Sequence, residues 1–143
     1  MNIVVVTAAG QVPQEPLGVV SDDVLIRFMM PATGGGHRTR DTHVVHMPTG
    51  NGARLGDRIA AVMQSNAALR MLLRISPLDR GARYWRAMRG DAQAKRFIQG
   101  ADLLVAADRD ANYACWHLAR HTSIPAVSGY AAAKKELQRR TVA

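Results

Sequence analysis

The segment Asp102-Leu-Leu-Val-Ala-Ala-Asp108-Arg-Asp110 runs directly into the helix-like stretch Ala111–His121 and then into Ile124-Pro-Ala-Val-Ser-Gly129. A short apolar strand that ends in acidic residues, feeds a helix and is followed by a second short strand is the grammar of a parallel βαβ unit. At the other end of the chain, Asn2–Thr7 is apolar and β-branched and stops at Ala8-Ala-Gly10, as a buried strand at the centre of a sheet would. Together these predict an α/β fold, a single Rossmann-like domain over residues 1–143 with a mainly parallel sheet of about five strands and helices on its faces.

The intervening chain supplies the remaining elements. Val12-Pro-Gln-Glu-Pro-Leu-Gly18 is a connection, because two prolines and a glycine do not sustain a helix. Val24–Met30, ended by Pro31, and Thr42–Met47 are strand candidates separated by the basic glycine-rich loop Thr33-Gly-Gly-Gly-His-Arg-Thr-Arg40. A hairpin and two neighbouring strands of the main sheet both fit the pair. The hairpin is preferred here, since about eleven residues hold a crossover helix only with difficulty. A second turn, Pro48-Thr-Gly-Asn-Gly52, leads to Leu55, Ile59, Val62, Met63, Leu69, Leu72 and Leu73 at helical spacing, read as one long amphipathic helix. Helices over Pro77–Met88, Asp91–Gln99 and about Ala131–Arg140, with a strand at Ile124–Ser128, complete the order β-β-β-α-α-α-β-α-β-α.

Charge is unevenly spread. Arg70 to Arg96 holds eight basic residues against Asp79 and Asp91, and Lys134–Arg140 holds four against one, so these two segments carry +6 and +3 while the rest of the chain nets −1 within the total of +8. Arg80, Arg83, Arg86 and Arg89 recur every third residue and sweep about half of a helix, with Leu78, Ala82, Trp85 and Met88 on the packed side. With Lys95 and Arg96 they form a basic surface denser than solubility requires, and a solvated face and an anionic partner remain the two explanations. Tyr84 and Trp85 lie among them, which admits nucleic acid, although no RRM, KH, zinc-finger or helix-turn-helix signature is present.

In open α/β sheets ligands bind beyond the carboxyl ends of the strands. Ala9 and Gly10, Asp108, Arg109 and Asp110, and Ser128 and Gly129 all fall on that edge and are the candidate ligand-binding residues. Asp108 occupies a helix N-cap position and Asp110 a first-turn position, where acids are favoured for structural reasons as well as for ligand contact. The triple glycine matches neither the Walker spacing nor Gly-x-Gly-x-x-Gly, so a loop tip and a phosphate cradle stay open as readings. His43 and His46 are an odd number apart and would point to opposite faces of a strand, which with His37 argues against a metal site. Cys115 is the only cysteine and reads as a small buried hydrophobe. No apolar run reaches the roughly 18–20 residues of a membrane span, and Met1-Asn-Ile-Val-Val-Val lacks a signal peptide's features, so the cytoplasm is expected. Nothing implies a cofactor.

Gly100–Asp110, followed by Trp116-His-Leu-Ala-Arg120 and Ile124-Pro-Ala-Val127, resembles the N-terminal Rossmann-like half of two-domain glycosyltransferases. There a strand, a helix ending in Leu-Ala-Arg and a strand opening with Ile-Pro line the acceptor side of the cleft. Those enzymes hold the nucleotide-sugar donor mainly in a second domain, for which a chain stopping at Ala143 has no room. The resemblance therefore implies a truncated relative, a subunit that needs a partner, or a module that kept the fold and lost the chemistry. Three functions follow as expectations. The first is a module that binds an anionic small molecule or an acidic protein partner, with a homo-oligomer or partner subunit as its context. The second is a small transferase for a nucleotide-linked or phosphorylated substrate, with Asp108 or Asp110 as base. The third is a nucleic-acid-binding protein led by its arginine-rich helices.

Overall fold

The computed structural model describes residues 1–13, 17–18, 23–32, 41–48 and 51–142. Five strands, β1 (Asn2–Val6), β2 (Leu25–Pro31), β3 (Thr42–Val45), β4 (Leu103–Ala106) and β5 (Ala126–Ser128), form one sheet in the order β3-β2-β1-β4-β5. Every pairing is parallel. Six helices accompany them among the described residues: α1 (Asn51–Met63), α2 (Ala67–Ile75), α3 (Arg80–Gly90), α4 (Ala92–Ile98), α5 (Arg109–Thr122) and α6 (Gly129–Val142).

The central position of β1 follows from its composition. Ile3, Val4, Val5 and Val6 are all fully buried, and a strand with no polar face must be covered on both sides. Val4 and Val6 face Tyr84, Met88, Ala94, Ile98, Ala114, Cys115 and Leu118 from α3, α4 and α5. Ile3 and Val5 face Leu17, Ala133 and Leu137, the last two from α6. Burial pushes the Cys115 thiol up to about 12, with the Asp108 charge acting in the same direction, so it stays protonated and unreactive at neutral pH.

The structure corrects three expectations. β2 and β3 are not a hairpin: Phe28 pairs with Thr42 and Pro31 with Val45 in parallel register. A parallel return needs reach and not a helix. The chain has only to come back from the level of Val45 to that of Thr42, roughly 10 Å, and the ten residues between Pro31 and Thr42 span that easily. The glycine-rich segment 33–40, with His37, Arg38 and Arg40, lies outside the described residues, as do 14–16 and 49–50 of the two other expected connections.

The long amphipathic helix is in fact two. Ser65 Oγ donates to the Val62 carbonyl at 2.7 Å, and Asn66, in extended conformation, accepts from the Ala68 N–H at 2.9 Å as the N-cap of α2. Such side chains satisfy the backbone locally and end one helix while starting the next. Leu73 is buried, but Leu55, Ile59 and Val62 on α1 and Met71 and Leu72 on α2 remain between 41% and 71% exposed. Likewise α3 starts at Arg80, not at Pro77, because the Asp79 carboxylate accepts from the Gly81 and Ala82 N–H groups. No described helix is long and apolar enough to cross a membrane.

Candidate functional site

With all five strands parallel, Ala8–Gly10, Asp108–Asp110 and Ser128–Tyr130 stand along one edge of the sheet, and the strand order reverses direction between β1 and β4. This switch point is where a doubly wound sheet opens a crevice. Here Asp108 fills it. Asp108 Oδ2 accepts from Thr7 Oγ1 at 2.7 Å, Ala8 N–H at 2.8 Å and Ala9 N–H at 3.0 Å, while Oδ1 accepts from Ala111 N–H at 2.9 Å as the N-cap of α5. A carboxylate has about four acceptor sites, and Asp108 accepts four hydrogen bonds, three on Oδ2 and one on Oδ1. The successive N–H groups after β1 and the start of α5, which would otherwise suit a phosphate, already hold an anion of the chain itself. Thr7, whose hydroxyl also accepts from Gly10 N–H at 3.0 Å, completes the knot.

Beside it lies a hollow of about 460 Å³ lined by Ala9, Gln11, Val12, Pro13, Ala107, Asp108 and Tyr130. Among the described residues the buried Tyr130 hydroxyl has no hydrogen-bond partner, and burial, then the Asp108 charge, raises its pKa. Ser128 and Gly129 line none of the described cavities; Gly129 serves the backbone, opening α6 at a φ of +80° that a side chain would strain.

A larger cleft, about 630 Å³, opens farther along the same edge. Its walls are the residues after β3, one side of α1 and α2, and the first turns of α3 and α5, and its charged lining is Arg70, Arg80, Arg83 and Arg109 against Asp79 and Asp110. The two helix starts meet closely. An ideal Cβ on Gly81 would lie 2.6 Å from the Asp110 carbonyl oxygen, so only glycine admits the approach that brings Arg80 next to Asp110. Burial, with help from Asp79 and Asp108, raises the Asp110 pKa against the opposing pull of Arg80 and Arg109. Of the two acids expected as bases, Asp110 lines the larger cleft, whereas Asp108 borders the smaller hollow with its carboxylate engaged by Thr7 and three backbone N–H groups.

The arginine row is divided by the fold. The packed side of α3 is Gly81, Tyr84 and Met88, with Ala82 and Trp85 half-buried, and Leu78 precedes the helix. Arg80 and Arg83 enter the cleft, Arg86 donates to the Pro77 and Ala82 carbonyls, and Arg89 is exposed at the far end. Lys95 and Arg96 occupy the last turn of α4, and Lys95 borders a separate hollow of about 390 Å³ near Ala101 and Ile124, at the opposite edge of the sheet. The expected basic surface is thus divided, with Arg80 and Arg83 in the cleft and Lys95 at a hollow on the opposite edge.

His43 does not join His46. Its Nε2 lies 2.9 Å from Asp91 Oδ2, and its ring packs 5.5 Å from Phe97. Burial opposes the Asp91 charge, but the bond to His43 and the Ala94 and Gln93 N–H groups outweigh it and hold the carboxyl below its usual value. The pair ties β3 to the junction of α3 and α4. Among the described residues no three His, Cys, Asp or Glu side chains converge as metal ligands. Thr7, Arg70 and Gly81 were not among the expected site residues. Gly81 alone carried a signal, as a glycine inside a strong helical pattern.

The chain is therefore an α/β protein with a Rossmann-like, all-parallel five-stranded sheet, its internal anion at the switch point and an arginine-lined cleft on the same edge. No family model, no curated protein and no solved structure matches it.

Proposed function

We propose that this Rossmann-like module binds a small anionic ligand bearing phosphate or carboxylate groups in the cleft between α1, α2 and the starts of α3 and α5. The carrying observation is the gathering of Arg70, Arg80, Arg83 and Arg109 in one cavity at the carboxyl edge. Guanidinium groups match such oxyanions in paired hydrogen bonds, and the volume falls within the roughly 300–1,000 Å³ of ordinary ligand sites. Because Asp79 and Asp108 already cap the two helix starts, the ligand is held by side chains and not by helix N–H groups.

Calorimetric titration with pyrophosphate, nucleoside diphosphates and nucleotide-sugars tests this. Removing one charged hydrogen bond costs about 1.5–3 kcal/mol, so Arg80→Ala and Arg109→Ala are each expected to weaken binding about 10- to 100-fold. Binding that both variants leave unchanged sinks the cleft as the site.

A second reading, a protein partner or second copy, is favoured by the exposed stripe of Leu55, Ile59 and Val62, which share one face of α1, and by exposed Met71 and Leu72 on α2. Light scattering is then expected to give a mass above the monomer, returned to monomer by Ile59→Asp. A monomer at all concentrations, with no partner bound, removes this reading.

A further inference from the structure

Away from the cleft, the outer side of α3 and α5 carries a joined set of rings. Trp85 and His117 stack at 4.9 Å and 8°, Tyr113 meets His117 at 4.6 Å and 61°, and Trp116 meets it at 4.7 Å and 77°. His121 closes the group 6.1 Å from Trp85. Among the described residues the buried His117 Nε2 has no hydrogen-bond partner, and the contacts that surround this imidazole are rings. Burial, then His121, Arg120 and Arg89, lowers its pKa, which keeps it a neutral stacking partner at neutral pH.

The outer rings are unfinished. Trp116 is 52% and Tyr113 44% exposed, and the Arg120 guanidinium lies 4.8 Å over the Trp116 ring, fixing its orientation. Beside them Arg89 of α3 and Arg120 of α5 are exposed, while the acids of this helix pair sit at its ends and are engaged: Asp79, Asp91 and Asp108 as caps, Asp110 in the cleft. Fixed aromatic faces beside exposed arginines fit a polyanion that carries rings of its own.

We propose that this face binds single-stranded nucleic acid, with bases stacking on Trp116 and Tyr113 and phosphates held by Arg89 and Arg120. The rings stand three residues apart on the surface of a helix, where unpaired bases reach them and the stacked bases of a duplex do not.

The test is fluorescence anisotropy of labelled oligothymidylate, oligouridylate and a duplex, with polyglutamate as a competitor lacking bases. Single strands are expected to bind and to quench tryptophan emission. Loss of one base stack corresponds to a loss of about 5- to 150-fold for Trp116→Ala, largely restored in Trp116→Phe, with the salt dependence unchanged. Arg120→Ala is expected to flatten the salt dependence, and Arg109→Ala, in the cleft, to leave oligonucleotide binding intact. The two single strands compared with each other tell whether the 2′-hydroxyl matters. Equal binding of the duplex, full displacement by polyglutamate at equal charge, or unchanged affinity in a folded Trp116→Ala would each overturn the proposal, polyglutamate displacement pointing to an acidic protein instead.

Discussion

Asp108→Ala is expected to destabilise the protein by about 3–5 kcal/mol, a large part of the 5–15 kcal/mol that typically holds a domain folded. The substitution strips α5 of its N-cap, worth about 1 kcal/mol, and leaves the Thr7 hydroxyl and the Ala8 N–H without the acceptor that satisfies them. Thr7 is fully buried, so water does not replace the lost bond, and each such orphan costs about 1–3 kcal/mol. Ala9 N–H is nearer to solvent and adds little. Asp108→Asn keeps one acceptor oxygen but turns an amide donor toward other donors, and is expected to recover only part of the loss. Urea unfolding of the three proteins measures it. A cost under about 1 kcal/mol for the alanine variant would mean that Asp108 is not the clamp between the end of β1 and α5.

Gly81→Ala is expected to cost about 1–3 kcal/mol, the opposite sign from the usual gain when glycine gives way to alanine in a helix. The new Cβ would stand 2.6 Å from the Asp110 carbonyl oxygen and 3.2 Å from Tyr113 Cβ. The nearer of these atoms is backbone, so the start of α3 must move away from the start of α5. Gly90, at the other end of the same helix, has nothing within 4 Å of its Cβ position and serves as the control. Gly90→Ala is expected to be neutral or to stabilise by about 0.5–1 kcal/mol. Thermal melts of the two variants should move in opposite directions, and Gly81→Ala should also weaken the anionic ligand, because it separates Arg80 from Asp110. If both variants melt alike, α3 and α5 do not meet as closely as described.

Much of the architecture was legible in the sequence because it is written in local patterns. The unbroken apolar run of β1 requires cover on both faces wherever it sits, and the strand-acid-helix-strand succession of residues 102–129 admits little but a parallel unit. The pairing of β2 with β3 was not legible. It depends on where Pro31 and Thr42 stand relative to β1, and loop length alone does not distinguish a short return from a hairpin. The break at Ser65 and Asn66 was missed because apolar spacing continues across it, while two side chains bonding to their own backbone end the helix.

For the candidate site, residue types and edge were readable and partnership was not. Asp108 was recognisable as both cap and ligand candidate, and only the approach of β1 and β4 makes it the acceptor for three donors about a hundred residues away. The four arginines of α3 were visible as one basic row. Packing against α5 divides them, because the helix must present Gly81, Tyr84 and Met88 to the core, and that rotation sends Arg80 and Arg83 into the cleft while leaving Arg89 exposed at the far end. By itself, then, the sequence determined which segments are strands, which faces must be buried and where positive charge accumulates, since those depend on local composition and period. The tertiary structure alone decided which donors Asp108 satisfies, which arginines share a cavity and which rings stack, because each of these is a meeting of residues distant in sequence.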